Sequence, residues 1–201
     1  MKPTFLNNKN TVLLDLDGTL VDSVRAHAES WRQTLGEYGF EVSKEKLERS
    51  IGMGGDKLIA LTTGLENEEL KDQISERRSA IFRTRYLEHV APVAGAGRLI
   101  EELRGRGLTV FLATASSSKD RDALLKQGGL ENYFSEFVSP EDVSGSKPEP
   151  DLLQAIMDKL GVSSDSCLLI GDSPFDAEAA GRAGMDFVAV ETGVYRAPEL
   201  P

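Results

Sequence analysis

The sequence predicts an α/β protein: a doubly wound, Rossmann-like parallel sheet with an all-helical cap inserted into it. Three observations lead there. A chain of 201 residues is about the size of one domain, with room for one core and an insertion. Apolar runs of four to six residues recur between longer stretches of helical period, as strands do when helical crossovers join them in parallel. From Asp22 to about His89, helical patterns follow one another with no strand between them.

The predicted strands are Val12 to Leu16, Leu108 to Ala113, a weak one at Glu136 to Val138, Cys167 to Ile170, and Phe187 to Val190. Helices are expected over 96–104, 119–127, 149–160 and about 175–183. Each runs into a stop signal: Gly105 and Gly107, Gly128-Gly129, Gly161, and Gly184. Within the helical stretch, Ala26, Trp31, Leu35 and Tyr38 give one helix its apolar stripe, and Gly39 ends it. Ser43 can cap a second helix from Lys44 to Ser50, Gly52-Met53-Gly54-Gly55 reads as a flexible break, and Leu70 to Leu87 forms a long third element. The expected division is a core of residues 1–21 and 91–201 and a helical cap of 22–90, with linkers near Leu20 to Asp22 and Ala91 to Gly95.

Composition narrows the function. Hydrophobic residues make up 40% and charged ones 28%, as in a soluble globular protein. A formal net charge of −10 argues against a nucleic-acid partner, which needs a basic face. The apolar runs, such as Leu108 to Ala113, are too short to span a bilayer, and the polar stretch Met1 to Asn10 shows no secretory leader. The single cysteine, Cys167, excludes an intrachain disulfide and a multi-cysteine zinc site. It lies in an apolar run, so it reads as a core residue, and a reducing cytoplasm is the expected compartment.

The chemistry concentrates after the first strand, in Asp15-Leu16-Asp17-Gly18-Thr19-Leu20. Alternation points Asp15 and Asp17 the same way at the carboxyl end of a strand, where open α/β sheets bind ligands. An Asp before Gly can also simply cap a turn. Three further segments stand at strand ends or helix starts: Thr114-Ala115-Ser116, Lys147-Pro148-Glu149-Pro150, and Gly171-Asp172-Ser173-Pro174-Phe175-Asp176. Taken singly, Lys147 reads as a solvated turn residue, Thr114-Ala115-Ser116 as a helix cap, and Asp176 as a first-turn acid favoured by the helix dipole.

All four segments, in this order, resemble the haloacid dehalogenase-like superfamily, whose members are mostly phosphatases, and the likeness covers essentially the whole chain. The resemblance implies Asp15 as the nucleophile that forms an aspartyl-phosphate, a reaction open to a carboxylate. It implies Asp17 as the general acid that protonates the leaving oxygen and later activates water. Lys147 then supplies positive charge to the transition state, Thr114 donates a hydroxyl to a phosphoryl oxygen, and Gly18, Ala115 and Ser116 support the site. Several carboxylates converging on a phosphate need a cation between them, and Mg²⁺ is the natural choice. Its ligands by resemblance are the side chains of Asp15 and Asp172 and the backbone carbonyl of Asp17. Asp176 orients either Lys147 or a metal-bound water.

The branch of the superfamily follows from further residues. Dehalogenases and phosphonate hydrolases resemble the chain at the nucleophile but lack the second acid, so Asp17 favours phosphoryl transfer. His27, ten residues after Asp17, matches a histidine that β-phosphoglucomutases use to couple cap closure to catalysis, and related sugar phosphatases share it. The mutases carry an arginine that grips the distal phosphate near the position of Gly55, so the Gly-rich loop looks more like that of phosphoglycolate phosphatases. Arg25, His27, Lys57 and Arg78 are the candidate cap contacts to substrate, although Arg77, Arg78, Arg83 and Arg85 also read as a solvated helix face. The expected activity is therefore a Mg²⁺-dependent phosphatase for a small phosphorylated metabolite. Its alternatives are a sugar phosphomutase or a catalytically silent phosphate-binding module.

Overall fold

Alternating apolar side chains on the short runs become a parallel sheet with a helical layer on each face. A computed structural model describes residues 4–200, so residues 1–3 and 201 of the expected core, with Met1 to Pro3 of the polar start, lie outside the described residues. In chain order come β1 (Thr11–Leu14), β2 (Val21–Asp22), α1 (Val24–Glu37), α2 (Lys44–Glu48), α3 (Gly55–Thr63) and α4 (Glu68–Ile81). Then follow β3 (Ala91–Pro92), α5 (Ala96–Gly105), β4 (Thr109–Leu112), α6 (Ser118–Gln127), α7 (Asp151–Leu160), β5 (Cys167–Gly171), α8 (Pro174–Arg182) and β6 (Asp186–Ala189). The main sheet runs β4-β1-β5-β6, all parallel.

The two faces divide by residue parity. Val12 and Leu14 of β1, with Leu168 and Ile170 of β5, pack on Ile100 and Leu103 of α5 and Leu124 of α6. Leu13, Cys167 and Leu169 point the other way, onto Leu153 and Ile156 of α7 and Ala179 and Ala180 of α8. A strand period of two produces this double-sided burial. Because β1 lies between β4 and β5, the chain leaves it in opposite directions, and a crevice forms at the carboxyl ends of the three strands. Among the described residues no helix is long and apolar enough to cross a membrane.

The expected strand at Glu136 to Val138 is absent: residues 134–139 have no regular structure. Phe137 and Val138 instead anchor the segment by packing on opposite faces of the sheet, and the Arg121 guanidinium lies 3.9 Å from the Phe137 ring centre. Side-chain burial produced the apolar pattern there without ladder hydrogen bonds.

Helices α1 to α4 form a block with a cluster of its own, built on Trp31, Leu35, Leu47, Leu58, Ile59 and Ile74. The stripe on α1 runs through Val24, Ala28, Trp31 and Leu35, whereas Ala26 packs toward the sheet side and Tyr38 is exposed where the helix ends. Gly39 supplies the positive φ of that stop, at 84°. The expected break at Gly52 to Gly55 is shorter than its composition suggests, because Gly55 already opens α3. The expected element from Leu70 to Leu87 starts earlier, with Asn67 accepting from the Leu70 amide, and widens to a π-helical turn at Phe82–Tyr86. The chain crosses between block and sheet twice, at β2 and β3, which pair antiparallel through Val21 with Pro92 and Asp22 with Ala91.

Two glycines set how closely backbone approaches Asp172. A Cβ on Gly193 would lie 1.7 Å from Asp172 Oδ2, and one on Gly18, whose φ is 84°, would lie 2.3 Å from it. A Cβ on Gly105, at the end of α5, would meet nothing within 4 Å. Gly193→Ala should therefore lower stability by about 1–3 kcal/mol through overpacking, whereas Gly105→Ala should raise it by about 0.5–1 kcal/mol through helix propensity. Urea midpoints of the two variants check both signs.

Candidate active site

Asp15 and Asp17 leave the end of β1, Thr114 follows β4, and Asp172 follows β5, so the sheet itself brings three segments together. Asp15 prolongs the ladder, its amide donating to the Ile170 carbonyl at 3.0 Å. Lys147 enters from the loop before α7 and is 1% exposed. Its ammonium spends all three donors at 2.7 Å, on Asp15 Oδ1, Asp176 Oδ1 and the Ala113 carbonyl. Burial alone would lower the Lys147 pKa, but Asp15 and Asp176 outweigh it and hold the ammonium above its usual range.

Asp176 serves the helix and the site together. Its Oδ2 accepts from the amide and hydroxyl of Ser173 in a capping box, while its Oδ1 orients Lys147. Of the two site roles open in the sequence, orientation of Lys147 is the one these contacts support. Asp15 behaves differently. Burial raises its carboxyl to about 7 against the opposing pull of Lys147, with Asp176 and Asp17 adding to the rise. Burial also pushes Asp172 well above the carboxylate range, helped by Asp15 and Asp176.

Asp17 is held the opposite way. Burial would raise it, but contacts with His27, Ser23 and Ser116 more than offset that and keep it below the usual carboxylate range. Ser23 donates to Oδ1 at 2.5 Å, His27 Nε2 lies 2.8 Å from the same oxygen, and Ser116 donates to Oδ2 at 2.7 Å. His27 Nδ1 lies 3.2 Å from Arg78 NH1. A guanidinium only donates, so Nδ1 accepts and the ring proton sits on Nε2, directed at Asp17.

The donor set fits a hard divalent cation. Carboxylate oxygens of Asp15, Asp172 and Asp176 lie within 4.8 Å of one another. Asp15 Oδ2 is buried with no hydrogen-bond partner, an acceptor left open beside two further carboxylates. Since Lys147 and Ser173 engage Asp176, the available ligands are Asp15 Oδ2 and Asp172, whose Oδ1 also accepts from Thr19 at 3.3 Å. Oxygen ligands of this kind suit Mg²⁺.

A cavity of about 40 Å³ opens on Asp15, Asp17 and Ala115 and is roofed by Trp31, Met53 and Leu58 of the helical block. His27, Arg78 and Ser116 also line it. Thr114 is buried beside it, its Oγ1 accepting from the Ser116 amide at 3.0 Å. The structure does not bring Arg25 and Lys57 to this cavity. Arg25 is exposed on α1, and the Lys57 ammonium bonds the Ser146 carbonyl at 2.9 Å and Glu149 at 3.2 Å. An exposed or already paired cation offers no contact to a ligand inside the cavity.

Sequence reasoning missed Ser23 and Asp120. Ser23 occupies the N-cap position of α1, yet its side chain makes no cap bond and goes to Asp17 instead. Asp120 reads as a first-turn acid on α6, but its carboxylate is wholly buried against Arg78, Ser79 and Arg83 of the helical block.

Comparison with known proteins agrees with this geometry. The pattern of the family described as haloacid dehalogenase-like hydrolase matches residues 12–190. A phosphoglycolate phosphatase of Rhodospirillum rubrum is 31% identical over 196 residues, covering 93% of this chain and 81% of its own. The fructose-1-phosphate phosphatase YqaB of Escherichia coli is 28% identical over 180 residues, covering 89% and 95%. Among solved structures, a hydrolase from Pseudomonas syringae superposes with a TM-score of 0.86 at 32% identity, covering 94% of this chain and 88% of that one. A β-phosphoglucomutase-like protein from Bacteroides vulgatus gives 0.84 at 28%, covering 96% and 79%. With its strand-end acids, its buried lysine and these relatives over nearly its full length, the chain belongs to the haloacid dehalogenase-like hydrolases.

Proposed function

We propose that the protein is a Mg²⁺-dependent phosphatase that hydrolyses the monoester of a small phosphorylated metabolite through an aspartyl-phosphate on Asp15. One observation carries the reading: Asp15 has one oxygen held by Lys147 and the other buried without a hydrogen-bond partner, and it faces the same cavity as Asp17, two residues on.

The Asp15 carboxylate attacks phosphorus as the bond from phosphorus to the leaving oxygen breaks. Asp17, whose own surroundings favour the carboxylate, takes up a proton from the incoming phosphomonoester monoanion and gives it to that oxygen. Its Oδ1 faces His27 Nε2–H and cannot carry a proton there, so the acid form bears it on Oδ2, beside the Ser116 hydroxyl. Three donors favour the carboxylate form, so Asp17 emerges from the first step ready to take a proton from water. That water then attacks phosphorus and releases Asp15. Lys147 keeps Asp15 oriented and offsets the charge of the phosphoryl group. Asp15 and Asp172, with the Asp17 carbonyl, would hold Mg²⁺, which would supply the charge that lets a phosphate dianion sit among carboxylates.

The helical block acts as the cap, residues 22–90 over a core of 1–21 and 91–201. A cavity of about 40 Å³ holds only a few water molecules. Substrate entry then requires the block to swing away about its two crossings, and closure excludes water again. The phosphatase reading is preferred to a mutase because position 55 is a glycine packed close to the Trp31 ring and carries no guanidinium to grip a second phosphate. The names of the relatives put short phosphomonoesters, phosphoglycolate and fructose 1-phosphate, first among substrates to try.

Phosphate release from phosphoglycolate, fructose 1-phosphate and β-glucose 1-phosphate, with and without Mg²⁺, tests the reading. Mg²⁺-dependent release that disappears in Asp15→Asn is expected. Turnover retained in Asp15→Asn, or conversion of β-glucose 1-phosphate to its 6-phosphate isomer without phosphate release, would overturn it. A stability measurement adds a pH signature. With the Asp15 carboxyl raised from 3.8 to about 7, folding favours its protonated form, so the stabilisation is full below pH 4 and is lost as pH rises through 7. A cation relieves that loss. At one fixed concentration, a hundred times the Kd at pH 8, Mg²⁺ should raise the Tm by about 5–10 °C at pH 8 and by much less at pH 5, where protonation weakens its binding. Equal shifts at the two pH values would contradict the ligand assignment.

A further inference from the structure

Asp120 lies in the first turn of α6, outside the four segments that carry the chemistry, and none of its surface is exposed. Among the described residues, every side chain bonded to its carboxylate comes from the far side of the crevice. Arg78 NH1 donates to Oδ2 at 2.9 Å, and Ser79 Oγ and Arg83 NH1 donate to Oδ1 at 2.5 and 2.6 Å. These three residues belong to α4 and its π-helical continuation. A carboxylate buried this completely is tolerable only while its donors are in place. Movement of the helical block would remove all three together.

The same guanidinium reaches the general acid. Arg78 NH1 carries two hydrogens, and its two partners are Asp120 Oδ2 and His27 Nδ1. The second contact fixes the His27 proton on Nε2, against Asp17 Oδ1. Arg78 lies 4.8 Å over the Trp31 ring and His27 stacks on Phe82 at 4.0 Å, so neither has freedom to turn while Asp120 holds the first. Arg78 also lines both the catalytic cavity and a neighbouring cleft of about 820 Å³, so the latch forms part of the wall between them.

We propose that Asp120 is a positioning residue that, by gripping Arg78, Ser79 and Arg83, latches the helical block to the core and sets the His27 proton that keeps Asp17 Oδ1 free of its own. The proposal rests on the phosphatase reading and extends it. With the latch closed, the Asp17 proton is confined to Oδ2, where it can reach a leaving oxygen. With the latch broken, Arg78 loses its counter-ion, His27 gains a second tautomer, and proton donation loses its geometry.

The test separates proton donation from folding by the leaving group. An alkyl phosphate such as phosphoglycolate needs a proton as its oxygen departs, whereas dinitrophenolate leaves 2,4-dinitrophenyl phosphate without one. Because kcat/KM reports formation of the phosphorylated enzyme, it isolates this step. Asp120→Asn should lower kcat/KM by about a hundredfold for the alkyl ester and by no more than about threefold for the dinitrophenyl ester, and Asp120→Glu should restore part of the difference. Equal losses on both esters, or no loss on either, would overturn the proposal. If Asp120→Asn does not fold, Arg83→Gln, which removes one donor at the edge of the latch, should show the same selectivity at smaller size, and an even loss there would overturn it. A wild-type protein inert toward both esters would instead overturn the phosphatase reading on which the proposal stands.

Discussion

The Lys147 ammonium is the interaction on which the site depends. Asp15, Asp17, Asp172 and Asp176 are all buried at the carboxyl edge of one small sheet, and charges removed from water cost several kcal/mol each unless they are compensated. One lysine, with every donor occupied, ties Asp15 to the cap of α8 and to the backbone after β4. Much of the local architecture serves this arrangement. The capping box of Ser173 and Asp176 starts α8 while presenting Oδ1 to Lys147, and bare backbone at Gly18 and Gly193 makes room for Asp172.

Compensation is deliberately incomplete on one side. Asp15 retains a buried oxygen without a partner, and Asp172 accepts weakly from the Thr19 hydroxyl, so the folded chain leaves acceptor oxygens that a divalent cation would satisfy. On the other side of the same turn Asp17 is fully satisfied by Ser23, His27 and Ser116. Two residues apart, one carboxyl is raised by burial and the other is lowered by its hydrogen bonds. The helical block supplies His27 and Arg78 to this second network, so the hydrogen bonding of Asp17 is tied to the position of the block.

The parallel sheet and its catalytic edge were legible because both depend on local pattern. Runs of strand length ended at glycines or acids, and parity decided which side chains met which helical layer. The strand expected at Glu136 to Val138 failed for a related reason: Phe137 and Val138 give the alternation of a strand while packing as loop anchors. Helix α3 was hidden by Gly54 and Gly55, which resemble a linker but open the helix against Trp31. Long-range pairing was not legible at all. Nothing about Asp120 in the sequence distinguishes it from an ordinary first-turn acid, since its burial depends on residues some forty positions away. Lys57 erred the other way: expected as a cap contact to substrate, it is spent by the fold on Glu149 and the Ser146 carbonyl.

The central claim is that Asp15 becomes covalently phosphorylated. Rapid acid quench of the wild-type protein turning over a radiolabelled phosphomonoester, followed by proteolysis and mass spectrometry, tests it most directly. The account predicts label on the peptide containing Asp15, formed and lost at rates consistent with turnover. Turnover with no labelled protein at any quench time, or label on a different side chain, would contradict it.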